Sequence, residues 1–220
     1  MNDLTVIMLT ANKVPEGWAK YHRQSLTDAI GDTPIITISA KPLDWGLNLI
    51  QTDYSIPNLY RQILRGATTA ETPYIAIAED DTLYPPCHFT FRPDPKCFAY
   101  NHHRWQIMTW KKRAAYFLRD ACANGTMIAP RQLVIDALSR RFEHSPDLIG
   151  WMSKELGDKH SVGIDGGTAQ RFHSAEGVVA FCHDYSIDVL NQTHRKAQRP
   201  IQAFVIPLWG DAQDVRAKFV

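Results

Sequence analysis

Three carboxylates stand side by side at Glu79-Asp80-Asp81, directly after the apolar run Tyr74–Ala78. Crowding and burial make it costly to keep such neighbours ionised together. A divalent cation removes that cost. Hard oxygen ligands suit Mg²⁺ or Mn²⁺, above all when phosphate oxygens complete the shell. Strand alternation would put Glu79 and Asp81 on one side and Asp80 on the other. The plainer reading is a solvated strand end whose acids cap the next turn. Other groups with chemical capacity lie further on. His183 follows the apolar segment GVVAFC, His102-His103 are adjacent, and His194-Arg195-Lys196 with Arg199 form a basic tract. Asp147, Glu155 and Asp165 are late acids. Cys87, Cys97, Cys122 and Cys182 form no CxxC pair and read as free thiols. A zinc site from Cys87, His88, Cys97 and His102 lacks the tight ligand pairs such sites use.

The elements that must position these groups alternate. Leu4–Leu9 is a nearly continuous apolar run, as expected of a strand buried on both faces. Trp18, Tyr21, His22, Ser25, Leu26 and Ile30 follow at helical spacing, and Gly31 ends that helix. Residues 34–39 (PIITIS) form a second strand, with a short segment near Leu47–Gln51 after it. Ile56–Ala70 is a helix with Leu59, Ile63, Leu64 and Ala67 facing the core and Pro57 in its first turn. Tyr74–Ala78 is the third strand. This order predicts an α/β fold, a mostly parallel Rossmann-like sheet with helices on both faces. Ligands of such sheets bind beyond the carboxyl ends of the strands. Thr10–Asn12, Ser39–Lys41 and Glu79–Asp81 all fall there. In the second half, residues 98–110 (FAYNHHRWQIMTW) read as one extended segment running into a loop. Pro130–Phe142 reads as a helix with Leu133, Val134, Ala137, Leu138 and Phe142 on one face, and Gly177–Cys182 as a core strand. Ile201–Leu208 reads as an edge strand, followed by a short tail.

The 220 residues fit a single domain, with 1–90 and 91–220 as its two halves. At 45% hydrophobic and 21% charged the chain is an ordinary globular one. Its 24 basic and 23 acidic side chains exclude a generally basic nucleic-acid binder, though not a local basic patch. No run of 18 apolar residues occurs, so no membrane span is expected. The start MNDLTVIMLTAN lacks the n- and h-regions of a signal peptide, and a cytoplasmic chain is expected.

LTVIMLTAN, the helix carrying Asn58, Arg61, Gly66 and Ala70, and YIAIAEDDTLYPP together resemble the nucleotide-sugar half of GT-A glycosyltransferases. The likeness is nearest to small family-two-like enzymes of phages and bacteria. It covers residues 3–90 well and thins from 91 to 220. The resemblance implies a strand-end acidic motif that binds a metal-diphosphate, here Glu-Asp-Asp in place of Asp-x-Asp. It implies Mn²⁺ or Mg²⁺ as cofactor and a nucleoside diphosphate sugar, UDP-sugar first, as donor. Thr10 and Asn12 would face the base, with Ser39 and Lys41 nearby. Arg61 would approach the diphosphate or the acidic loop. Asp80 would reach the ribose, Asp81 would be the principal metal ligand, and Glu79 and a late histidine, His183, would join it. Arg195 and Lys196 would close over the diphosphate. Direct attack by an acceptor hydroxyl needs a general base. Glu155, in WMSKELG, is the choice, with Asp147 and Asp165 as alternatives. Phage relatives point to a hydroxymethylated pyrimidine in DNA as one acceptor, for which Trp105, Trp110, Trp151 and Trp209 would offer stacking rings and Arg104 and Lys111–Arg113 phosphate contacts. A sugar-phosphate nucleotidyltransferase shares the fold but usually carries a glycine-rich basic loop after the first strand, and TANKVPEG has one glycine and one lysine. A non-catalytic nucleotide-sugar-binding module is the third reading.

Overall fold

The computed structural model describes residues 3–186 and 201–220. Its main sheet has seven strands. β1 (Leu4–Thr10) lies between β2 (Ile35–Ser39) and β4 (Tyr74–Glu79), with β3 (Leu47–Ile50) outside β2. These four run parallel. β9 (Met127–Pro130) joins β4 antiparallel, β6 (Cys97–Asn101) joins β9 antiparallel, and β10 (Thr168–Phe172) joins β6 parallel. One strand of seven is thus reversed. β1, β4 and β6 all end at the same edge, and the start of β9 meets them there.

All seven residues of β1 are buried because both faces are covered. Ile7 and Leu9 pack with α2 (Ile56–Thr69) and α3 (Arg131–His144). Leu4, Val6 and Met8 pack with Leu26 and Ile30 of α1 (Glu16–Ile30). This is the α/β architecture expected, a mostly parallel sheet with helices on both faces. Ser55 caps α2 by accepting the Asn58 N–H at 3.2 Å. Gly66 lets α2 lie close on β1, since a Cβ there would stand 2.7 Å from Ile7 Cγ2.

A second sheet has the order β12 (Gln202–Ala203), β8 (Tyr116–Leu118), β7 (Arg104–Met108), β11 (Val178–Cys182), β5 (Thr82–Leu83). A third core of Trp18, Ile107, Tyr116, Phe181 and Phe219 ties it to α1 and to α4 (Ala212–Ala217). Three expectations change here. The extended segment 98–110 is two strands in two sheets. Buried Asn101 ends the first by accepting the His103 N–H at 3.0 Å and donating to Ser174 Oγ at 2.6 Å. Segment 201–208 contains β12 and β13 (Val205–Ile206), and β13 forms a hairpin with β14 (Gly210–Asp211) instead of extending the edge. The expected tail is a helix, because Val215 and Phe219 are buried beside Trp18. Among the described residues no helix is long and apolar enough to cross a membrane.

Candidate active site

β4 ends at Glu79, and the chain turns through Asp80-Asp81 into β5. The turn is gripped from several sides. Thr10 Oγ1 donates to Asp80 Oδ2, and Trp18 Nε1 donates to the Asp80 carbonyl at 2.6 Å. Thr82 Oγ1 donates to Asp81 Oδ1 at 2.9 Å. Tyr84 OH accepts the Glu79 N–H at 2.9 Å and donates to the Gly125 carbonyl at 2.7 Å. Burial, then repulsion from Asp81, pushes the Glu79 carboxyl up to about 8, with Arg104 opposing. The same two causes push Asp80 up to about 7, opposed by Thr10 and His183. Two acids of this turn therefore hold protons near neutral pH.

The turn floors a cleft of about 340 Å³, within the usual range for small-molecule sites. Glu79, Asp80, Asp81, Thr10, Glu155 and His183 all line it. On the β1 side the wall is Ala11, Lys13, Val14 and Ala40. Opposite it lies the loop Gln51–Ser55, held by buried Asn58, which accepts from Gln51 Nε2 and donates to the Asp53 carbonyl. Lys13 Nζ sits 3.5 Å above the Tyr54 ring, so a cation and an aromatic face meet at the rim. Lys13, Gln51 and Tyr54 were not singled out from the sequence. They stand on loops, which carry no periodic signal.

Three expected nucleotide contacts are used internally instead. Asn12 adopts φ 54° and accepts the Lys41 N–H through Oδ1 at 2.8 Å, joining the β1 and β2 loops. Fully buried Ser39 donates to the Lys41 carbonyl at 2.6 Å. Neither they nor Lys41 line the cleft; Ala40 and Lys13 do. Arg61 turns away altogether, donating to the Pro146 carbonyl at 2.7 Å and lying over Phe142. It sits on the α2 face that meets α3, not on the face toward the acidic turn. Arg195 and Lys196 lie outside the described residues.

Of the acids considered as bases, only Glu155 lines the cleft. Asp147 is exposed on the loop after α3. Asp165 is wholly buried and accepts from Arg141 Nε and Nη2, both at 2.7 Å, so it cannot meet an acceptor. That pair fixes Glu155 from behind. Arg141 also donates to the carbonyls of Met152, Lys154 and Glu155 at 2.8, 2.6 and 3.1 Å. Tyr60 OH adds a bond to the Lys154 carbonyl at 2.8 Å and accepts from Asn124 Nδ2 at 3.2 Å.

The expected metal trio is not assembled. Among the described residues no three His, Cys, Asp or Glu side chains converge on one cation position. The turn at Asp80 breaks the strand alternation that would have paired Glu79 with Asp81. The Glu79 carboxyl lies against Gly125, where a Cβ would stand 2.4 Å from its Oε2. His183 Nε2 is 3.3 Å from Asp81 Oδ2, but Nδ1 accepts the Tyr185 N–H at 3.2 Å. Both ring nitrogens are thus engaged within the protein. Asp81 itself fits a cation. Mg²⁺ is commonly held by one or two carboxylates with phosphate oxygens and water completing the shell. A positive charge there would also relieve the crowding that raises Glu79 and Asp80. The zinc set dissolves as well: His88 Nδ1 pairs with Asn101 at 3.1 Å and Cys87 with Glu176 Oε2 at 2.8 Å.

No family model matches the sequence, and no curated protein matches it. Among solved structures the chain is similar to a glycosyltransferase involved in the glycosylation of the major capsid of PBCV-1, at 11% identity and TM-score 0.47 over 80% of this chain and 93% of that one. It is similar to the inositol-1-phosphate CTP transferase from T. maritima, at 11% identity and TM-score 0.46 over 81% and 89%. It is also similar to the bifunctional IspDF from Campylobacter jejuni, at 10% identity and TM-score 0.40 over 79% of this chain. The chain spans half the length of that last protein.

Proposed function

We propose that the chain is a glycosyltransferase, binding a nucleoside diphosphate sugar in the cleft and passing the sugar to an acceptor hydroxyl. The observation that carries this reading is the acidic turn at the carboxyl edge of a parallel sheet, locked by Thr10 and Trp18 while Asp81 faces the cleft. The nucleoside would lie between the β1 loop and the Gln51–Ser55 loop, with UDP-sugar as the first donor to test. Asp80, already fixed by Thr10, would meet the ribose. A divalent cation, Mn²⁺ or Mg²⁺, held by Asp81 when bound, supplies positive charge for the departing diphosphate. Glu155 would take the proton of the attacking hydroxyl, its loop held still by Arg141.

Thermal stabilisation by UDP-, GDP-, CDP- and dTDP-sugars, with and without Mn²⁺, tests the reading, because a ligand of the folded state raises Tm by mass action. One nucleotide class should give a metal-dependent shift that Asp81→Asn abolishes. Nucleoside diphosphate release should then follow on adding an acceptor, with DNA bearing hydroxymethylated pyrimidines among those offered. No shift with any donor would overturn the site assignment. Lys13 in the β1 loop, with its ammonium at the cleft rim, favours a second reading as a nucleotidyltransferase. Release of pyrophosphate from a nucleoside triphosphate would identify that chemistry.

A further inference from the structure

A different cluster lies on the same sheet edge. His102 directly follows β6, and Cys122 stands just before the turn that starts β9. β6 is separated from β4 by β9 alone, so this cluster lies two strand spacings, about 10 Å, along the edge from the acidic turn. Asp120 Oδ1 meets His102 Nδ1 at 2.5 Å, and His102 Nε2 meets Cys122 Sγ at 3.7 Å. A carboxylate on Nδ1 fixes the ring with its proton there, which leaves the Nε2 lone pair facing the thiol. Nucleophile, base and orienting acid thus stand in the order that activates a weak nucleophile.

We propose that Cys122, His102 and Asp120 form a second, nucleophilic site whose substrates are small disulfides of the glutathione type. In the exchange His102 Nε2 takes the thiol proton as sulfur attacks one disulfide sulfur. The S–S bond breaks, a Cys122 mixed disulfide forms, and the departing thiolate recovers the proton from His102. The step needs no oxidant beyond the disulfide and no donors for an oxyanion, so it asks only for what this cluster supplies. Access is available: the thiol is half-buried and the Asp120 side chain is 62% exposed. The other three thiols stand in different surroundings. Cys87 donates to the Glu176 carboxylate, Cys97 meets Thr168, and Cys182 is buried. Burial and the charges of Glu155 and Asp158 push the Cys122 thiol up, while Arg171 opposes them. The resting sulfur is therefore protonated, and the imidazole is what makes it available. Tyr100 and His173 complete the titratable surroundings.

Oxidised glutathione and the intact protein at pH 7, followed by peptide mapping, test this without reference to sugar transfer. One glutathione per chain should appear, on Cys122. His102→Gln should slow its formation about a hundredfold or more, the scale of a lost general base. Asp120 is at the surface, so Asp120→Asn should fold normally and also slow it. Circular dichroism of both variants should match wild type. Labelling of Cys97 as fast as Cys122, or unchanged rates in both variants, would overturn the proposal.

Discussion

Replacing Asp165 by Asn should be among the most damaging conservative changes in this protein. Arg141 is fully buried and its guanidinium makes six hydrogen bonds. Asp165 accepts four, from Arg141 Nε and Nη2, Ser161 Oγ and the Gly157 N–H. An amide cannot reproduce this. If its oxygen occupies the Oδ2 position, its NH₂ faces the Arg141 Nε–H; if it is flipped, the NH₂ faces three donors. The guanidinium charge is also left buried without a counter-ion. Breaking one partner of such a pair costs about 3–5 kcal/mol. At ~2–4 °C per kcal/mol for a chain this long, Tm should fall by roughly 6–20 °C. Asp136→Asn, on the exposed side of α3, is the control and should stay within ~0.5 kcal/mol. An apolar double replacement, Arg141→Met with Asp165→Leu, should not restore stability, because the carbonyls of Met152, Lys154 and Glu155 would lose their donor. Unfolding by urea and by heat measures all four proteins. An Asp165→Asn protein melting within about 2 °C of wild type, or a fully stable double variant, would refute the view that this pair holds the Glu155 loop.

Stability should also depend on pH through Glu79 and Asp80. Their folded pKa values, about 8 and about 7, lie above those of the unfolded chain. The folded state then binds more protons between pH ~4 and 8, so these groups make stability fall as pH rises through that window. Melts from pH 5 to 8 should show the decline, and Asp80→Asn should flatten it. Gly125→Ala would place a methyl 2.4 Å from Glu79 Oε2. It should cost about 1–3 kcal/mol, and much less in a Glu79→Ala background, as a double-mutant cycle would reveal. Phe219→Ala should cost about 3–5 kcal/mol. The ring is 97% buried and packs on Phe181, Trp18 and His183, so the loss should register in near-ultraviolet circular dichroism as well as in Tm.

The sheet was legible because its strands are buried on both faces. LTVIML and YIAIA have no polar alternation to confuse them, and Gly31 ends α1 at φ 54° as its position suggested. The acidic turn was legible for the same reason, since three carboxylates after such a strand are out of place. Arg141 was not, yet its signal was present. It lies three residues after Leu138 and seven after Val134, on the face those residues bury, beside Phe142, which packs against the same core. A charged residue at that spacing reads as surface unless a partner is sought, and Asp165 is 24 residues away. The cleft wall was hidden for another reason. Lys13, Gln51 and Tyr54 owe their places to loops fixed by Asn12 and Asn58, whose side chains bond backbone groups that sequence spacing does not identify. Contacts across elements also decided Arg61, whose helix face toward α3 could be drawn only once α3 was placed.

Several of the groups that fix the acidic turn and Glu155 grip backbone. Trp18 holds the Asp80 carbonyl, Tyr84 the Glu79 N–H, and Arg141 the Glu155 carbonyl. Holding an acid by its main chain sets its place without drawing on its carboxyl; at Asp80 and Asp81 the carboxyls are met separately, by Thr10 and by Thr82 and His183. Tyr84→Phe tests this most directly. It keeps the buried ring and removes only a hydroxyl, leaving the Glu79 N–H and the Gly125 carbonyl unpaired at a cost of about 1–3 kcal/mol each. Part of that cost would be avoided if the turn opened to water, so the damage should be local. Amide hydrogen exchange should then accelerate at Glu79 and Asp80 more than at Ile75 and Ile77 in the middle of β4, at a pH where the whole protein remains folded. Equal acceleration along the strand would mean that the hydroxyl supports the sheet as a whole, and the reading of Tyr84 as a local hold on the turn would fail.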